Sequence, residues 1–183
     1  MTEDQALEQT AKQDILKHAR RLFSEKGFKA VSVREMAKES GQNISMISYY
    51  FGGKEGLYKA IISAHMLKVS GEVRTVFNLT LNKEMTEVTL RRDIRGLVSV
   101  VVEMKFNDPE LMKIMQRERV DGLPFARELH EQIISPFAEQ LIEVFKTAQK
   151  KKIIRSGFDP GLFLGVLFEA VLGFMTSYDC GLP

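Results

Sequence analysis

At 183 residues, with 44% hydrophobic and 27% charged side chains, the chain is long enough to bury a core and too apolar to be disordered. Its single cysteine, Cys180, excludes an intrachain disulfide framework. The net charge of +2 says little by itself; residues 1–65 hold 10 Lys or Arg against 8 Asp or Glu, whereas residues 66–183 hold 16 of each. Residues 1–12 are polar and predict no secretory signal. The longest apolar run, 162–175, contains Glu169 and is too short to span a bilayer. A reducing cytoplasm is the expected location, with no membrane partner.

Residues 1–9 read as a frayed leader. A first helix is predicted over 10–26, where Ile15, Leu16, Ala19, Leu22 and Phe23 share one stripe and Gly27 follows. Its other side carries Lys12, Lys17, Arg20 and Arg21, which reads as a solvated face with Lys12 open to a phosphate. Ser32 then has the character of an N-cap, with Glu35 three residues on as its capping-box partner. Gly41 can take the positive φ that a helix stop requires. A short helix follows over 44–51, where Ile44, Ile47 and Phe51 predict a common buried face. Asn43, Ser45, Met46, Ser48, Tyr49 and Tyr50 lie opposite: uncharged and rich in hydrogen-bonding groups. Two short helices about a glycine turn read as a helix-turn-helix whose exposed face suits base edges and phosphates in a major groove, or else as an ordinary helical corner.

Gly52 and Gly53 break that helix, and Lys54 opens the next, with Leu57, Tyr58, Ile61 and Ile62 on its apolar stripe. A cation at a helix N-terminus opposes the dipole unless an anion sits there, so Lys54 is a phosphate-holding candidate. A helix is predicted over 87–106. Asp108-Pro109-Glu110 restarts the next as N-cap, first-turn proline and first-turn acid. A long helical pattern follows Pro124, and Pro136 must kink or divide it. The last helix is predicted over 160–178. On it Gly161, Gly165, Glu169, Gly173 and Ser177 recur at every fourth position. Each helical glycine costs about 1 kcal/mol against alanine, which close approach of another helix would offset. Glu169 in so apolar a helix either pairs across a helix interface or recognises a cationic or hydrogen-bonding ligand. Strands are nowhere evident, so the fold class is all-α.

Catalytic patterns are missing. The three histidines are scattered, none three residues after a glutamate, and there is no zinc-binding histidine pair, glycine-rich phosphate loop or Gly-x-Ser-x-Gly. No enzyme activity, cofactor or metal is expected. The rival reading is an all-helical ligand-binding protein or enzyme with a helix-turn-helix-like corner.

The stretch Ile15-Leu16, Leu22-Phe23, Lys26-Gly27-Phe28, then Ser32-Val33-Arg34-Glu35-Met36-Ala37, Gly41, Tyr49-Tyr50-Phe51 and Lys54-Glu55-Gly56-Leu57 resembles the TetR/AcrR family of transcriptional regulators. The resemblance implies a homodimer with a DNA-binding domain at residues 1–54 and a ligand-binding and dimerisation domain at 55–183. It implies a repressor on a near-palindromic double-stranded operator, released by a small-molecule effector. By position, Ser32 and Arg34 would meet phosphate or a groove edge; Asn43, Ser45, Met46 and Tyr49 would face the major groove; Tyr50 and Lys54 would hold phosphates. The family often has tyrosine where this chain has Ser48, so the contact expected there is in doubt. The last two helices would pair across the dimer, which places Phe137, Leu141, Gly165 and Gly173 at the interface. Candidate pocket residues are Met104, Phe106, Met112, Met115, Phe125 and Phe168, whose methionines suit an adaptable apolar site, together with Glu169.

Overall fold

The computed structural model describes residues 3–81 and 84–179, setting aside the side chains of residues 3, 4, 77–81, 105 and 175–179. Cys180 and the Ser177 side chain lie outside that description. The described residues form helices and no strand, as the all-α expectation required. In chain order the helices are α1 (Glu3–Ala30), α2 (Val33–Ser40), α3 (Ile44–Phe51), α4 (Lys54–Leu81), α5 (Glu87–Asn107), α6 (Pro109–Val120), α7 (Ala126–Leu129), α8 (Ser135–Lys150) and α9 (Pro160–Asp179). None of the described helices is long and apolar enough to cross a membrane.

The chain forms two compact units, residues 1–65 with 108–129 and residues 66–107 with 130–183. Packing therefore groups the chain differently from a division at residue 54: α6 and α7 lie in the first unit, and α4 begins in one unit and ends in the other.

In the first unit, Ile15, Ala19, Leu22 and Phe23 of α1 are buried with Met36 and Ala37 of α2, Ile47 of α3 and Leu57, Tyr58, Ile61 and Ile62 of α4. α1 begins earlier than its apolar stripe and continues to Ala30, but Gly27 at φ 79°, ψ 167° kinks it. That kink turns Phe28 into an aromatic cluster, 4.9 Å from Tyr58 and 4.4 Å from Phe125 between ring centroids. α6 grips α1 at two places. Arg20 donates to Asp108 at 3.0 Å and to Glu110 at 2.9 Å, so this cation is not simply solvated. Arg117 donates to the carbonyls of Phe23 at 2.8 Å and Glu25 at 3.0 Å, just before the kink. Helix ends leave such carbonyls without a partner, and the guanidinium fork supplies donors. Arg117→Ala is expected to cost about 1–3 kcal/mol, read as a lowered thermal midpoint, with Arg117→Lys recovering only part of it.

A buried carboxylate closes this unit. Glu118, 3% exposed, accepts from the backbone N–H groups of Phe125 at 3.1 Å and Ala126 at 3.0 Å. It thereby caps α7 after the turn at Gly122 and Leu123, both of which have positive φ.

The second unit has its own core: Val73 of α4, Leu90 and Leu97 of α5, Phe137, Leu141, Val144, Phe145 and Ala148 of α8, and Leu164 of α9. The disturbance expected at Pro136 takes the form of a π-wound stretch over His130–Ile134. Proline offers no N–H and its ring crowds the preceding turn, so the ladder widens just before it. α9 is capped by Asp159, whose Oδ1 accepts from the N–H of Leu162 at 2.7 Å.

Candidate nucleic-acid interface

Two caps set the short helices. The Ser32 hydroxyl accepts from the N–H of Glu35 at 3.1 Å, and α2 ends on Gly41 at φ 67°. The Glu35 carboxylate turns back to the Ser32 backbone N–H, as the expected capping box requires, and also pairs with Lys26. A hydrogen bond and the charge of Lys26 hold the Glu35 carboxyl below its ordinary range. Arg21 likewise ties α1 to Glu39 of α2. α3 opens on Asn43, whose side-chain oxygen accepts from the N–H of Ser45 at 3.0 Å, and closes on Gly52 at φ 70°. Two polar caps and two left-handed glycines thus fix a helix-turn-helix with no charged residue on its second helix.

Only part of the expected buried face of α3 is buried. Ile47 is fully enclosed, Phe51 is half-buried, and Ile44, in the first turn where no neighbouring helix covers it, is 43% exposed. Among the candidate contact residues Asn43, Ser45, Ser48 and Tyr49 are exposed, Tyr49 at 78%, while Met46 and Tyr50 are half-buried at the flank. Tyr49 and Tyr50 meet edge to face with centroids 5.1 Å apart. Burial and the charge of Glu8 push the Tyr50 hydroxyl above its ordinary range, keeping it a protonated donor.

The cations sort into engaged and open. Lys54 lies 4.4 Å from the centre of the Phe28 ring, and its ammonium reaches the Lys29 carbonyl at 3.5 Å. Burial holds it below the usual lysine range. Lys54 is therefore engaged at the end of α1, where a cation meets the negative end of a helix. Lys12 sits 5.9 Å from the Phe51 ring centre. Arg34 and Lys38, one turn apart on the exposed side of α2, have no carboxylate partner among the described residues. Arg34, expected to meet phosphate or a groove edge, stands open, and Lys38 is a second open cation whose i+4 spacing from Arg34 was the available signal in the sequence.

The model of the bacterial regulatory proteins of the tetR family matches residues 15–61, which span this arrangement from the core of α1 into α4. The helix-turn-helix unit of this chain belongs to the TetR family. The curated relatives agree. The Bacillus subtilis protein named "Probable HTH-type transcriptional regulator YttP" is 31% identical over 120 residues, covering 66% of this chain and 56% of its own. The HTH-type transcriptional dual regulator CecR of Shigella flexneri is 29% identical over 139 residues, covering 72% of this chain and 61% of its own. The chain thus spans little more than half the length of these relatives. Among solved structures, the fatty acid degradation regulator FadR from Bacillus halodurans superposes with a TM-score of 0.72 at 21% identity, covering 93% of this chain and 86% of that one. The hemolysin II transcriptional regulator HlyIIR does so with a TM-score of 0.70 at 24% identity, covering 96% and 93%. At these identities the structures establish the fold alone, which this chain shares with them over most of its length.

Beyond the TetR-type unit, the expected pocket residues divide between the two compact units. Met112, Met115 and Phe125 belong to the first; Met104, Phe106, Phe168 and Glu169 belong to the second. Phe125 is spent on the aromatic cluster with Phe28 and Tyr58. Phe106 is 65% exposed, Phe168 packs on the core of the second unit, and Glu169 is exposed rather than buried. Of the expected interface residues, Phe137 and Leu141 are 5% and 2% exposed within the single chain. They serve its own core, leaving little of either for a partner. Gly165 and Gly173 are exposed, and a Cβ built on either would meet no atom within 4 Å.

Proposed function

We propose that this chain is a ligand-responsive transcriptional regulator, in the sense of a repressor, that binds a near-palindromic operator as a homodimer and is released by a small molecule. The observation that carries the reading is the exposed face of α3: a short, doubly capped, uncharged helix presenting Asn43, Ser45, Ser48 and Tyr49 beside the open cations Arg34 and Lys38. Uncharged hydrogen-bonding groups read base edges, and flanking cations with helix N-caps such as Ser32 hold phosphates. In this account Met46 and Tyr50 contact the groove wall from the flank. Lys54 acts through Phe28 and the end of α1, or reaches a phosphate only by leaving them. The functional division into a DNA-binding part at 1–54 and an effector and dimerisation part at 55–183 belongs to the same proposal, as does action in the cytoplasm. Relatives named as repressors, such as AcnR of Corynebacterium glutamicum, 35% identical over 65 residues, support the direction of control.

α9 supports the dimer. Leu162, Val166 and Phe174 are 69%, 59% and 65% exposed, and Gly165 and Gly173 lie among them. A face this apolar beside glycines fits close approach of the same helix from a second copy. Gly165→Leu or Gly173→Leu is expected to shift the monomer–dimer equilibrium towards monomer by at least tenfold in sedimentation. An unchanged equilibrium for both would remove this face from the interface.

The mechanism is geometric. Paired recognition helices enter successive major-groove faces when they sit roughly 34–36 Å apart. A molecule that binds better to a conformation with another spacing weakens operator binding by that difference in affinity. The test of the whole reading is selection of duplexes from a random-sequence library by the full chain. Recovery of a consensus with two inverted half-sites is expected; no enrichment over unselected DNA would overturn it.

A further inference from the structure

The second unit contains a buried carboxylate that the described residues leave incompletely paired. Asp93 lies on the core face of α5, three residues after Leu90 and four before Leu97, and is 1% exposed. Its Oδ1 accepts two bonds from Arg92, from Nε at 2.9 Å and Nη2 at 2.8 Å. Its Oδ2 is shielded from solvent and has no hydrogen-bond partner among the described residues. Arg92 itself is half exposed. The pair is neutral overall, yet one oxygen of a buried carboxylate meets no donor among the described residues. Buried polar atoms in folded proteins are overwhelmingly paired, and an orphan of this kind is costly wherever a leucine would fit.

We propose that Asp93 Oδ2 anchors the hydrogen-bond-donating headgroup, a hydroxyl or an ammonium, of an apolar effector, and that the site refuses an anionic headgroup. The inference rests on the reading that the C-terminal part takes an effector, and it names the chemical class of that effector. Leu90 and Leu97 share the face of α5 that carries Asp93, with the partly buried Ile94 beside it; both leucines belong to the core of this unit, so an apolar body would enter by parting core side chains. Because Arg92 already balances the charge, a neutral hydroxyl satisfies Oδ2, and an ammonium adds attraction. A carboxylate would set lone pair against lone pair. Glu169, the carboxylate singled out in the sequence, lies on an exposed position, and the buried acid of this unit is Asp93 instead.

The test uses the full chain at pH 7 and three probes of matched length: 1-octanol, octylamine and octanoate. Octanol and octylamine are expected to raise the thermal midpoint of the wild type by about 2 °C or more, and octanoate to leave it unchanged. Asp93→Asn, which brings its own N–H donors, is expected to gain a response to octanoate. Asp93→Leu is expected to lose the distinction among headgroups and, without any probe, to melt no lower than the wild type. Equal response of the wild type to octanoate, or no response to either donor, overturns the assignment. So does a lower midpoint for both variants without probe, which would make Asp93 a structural partner of Arg92. Release of a selected DNA duplex is read separately. A midpoint response without release upholds Asp93 as the anchor and counts against the effector reading of the proposed function.

Discussion

Glu118→Ala is expected to destabilise the protein by about 3 kcal/mol, with the thermal midpoint falling by about 6–12 °C. The reason is what the substitution leaves behind. The carboxylate is 3% exposed and receives the N–H groups of Phe125 and Ala126 at 3.1 and 3.0 Å. Alanine leaves both donors without a partner, one of them on the fully buried Ala126. Each orphaned buried donor costs about 1–3 kcal/mol. The Tyr58 hydroxyl depends on the same group. Burial first, and then the Glu118 carboxylate, push that hydroxyl far above the usual tyrosine range, so it stays protonated beside the acid. Glu118→Gln keeps an accepting oxygen and is expected to recover at least half of the loss. If the alanine variant melts like the wild type, Glu118 does not hold this turn. Phe125, which packs on Phe28 and Tyr58, would then be fixed by ring contacts alone.

The second large effect is on DNA rather than on folding. Tyr49 is 78% exposed, and its ring meets only Tyr50 among the described aromatic contacts. Tyr49→Ala is therefore expected to change stability by less than about 0.5 kcal/mol while lowering affinity for a selected duplex by tenfold or more. Arg34→Ala should behave differently. A cation that neutralises one phosphate contributes about 0.9 to the slope of log affinity against log salt. Its loss is expected to weaken binding to all duplexes alike and to reduce that slope by about one. Lys54→Ala would reduce the slope only if the ammonium leaves the Phe28 ring in the complex; otherwise it lowers stability with an unchanged slope. Binding isotherms at four or more salt concentrations, alongside thermal melts, separate these roles.

The parts of the fold that were legible in the sequence are those with chemical punctuation. α3 has the bounds expected because Asn43 and Gly52 mark both ends, and α6 begins where Asp108 and Pro109 announce it. The N-terminal start of α1 was not legible, because residues 3–9 carry no apolar period and only the structure extends the helix over them. The candidate contact face was legible as a list, since uncharged polar residues at helical spacing need no tertiary knowledge. What each charged residue does was not. Arg20 reads as a solvated cation until α6 brings Asp108 and Glu110 to it across 88 and 90 residues. Glu35 reads as a capping-box acid and nothing more until α1 brings Lys26 to the same carboxylate. Lys54 reads as a cation awaiting a phosphate, and only the fold shows that Phe28, just past the kink at Gly27, lies beneath it. In each case partner choice depends on a contact between helices that periodicity within one helix does not show. Asp93 and Glu118 left a fainter trace, as acids set at i+3 from Leu90 and i+4 from Ile114 on apolar stripes, a pattern that calls for a buried partner.

The central claim is that α3 reads sequence. Its most direct test is the affinity of the full chain for its selected duplex against a scrambled duplex of equal length and composition, measured at physiological salt. The account predicts a preference of about a thousandfold or more, reduced at least tenfold by Tyr49→Ala. Equal affinity for the two duplexes, or a preference that Tyr49→Ala leaves intact, would contradict it.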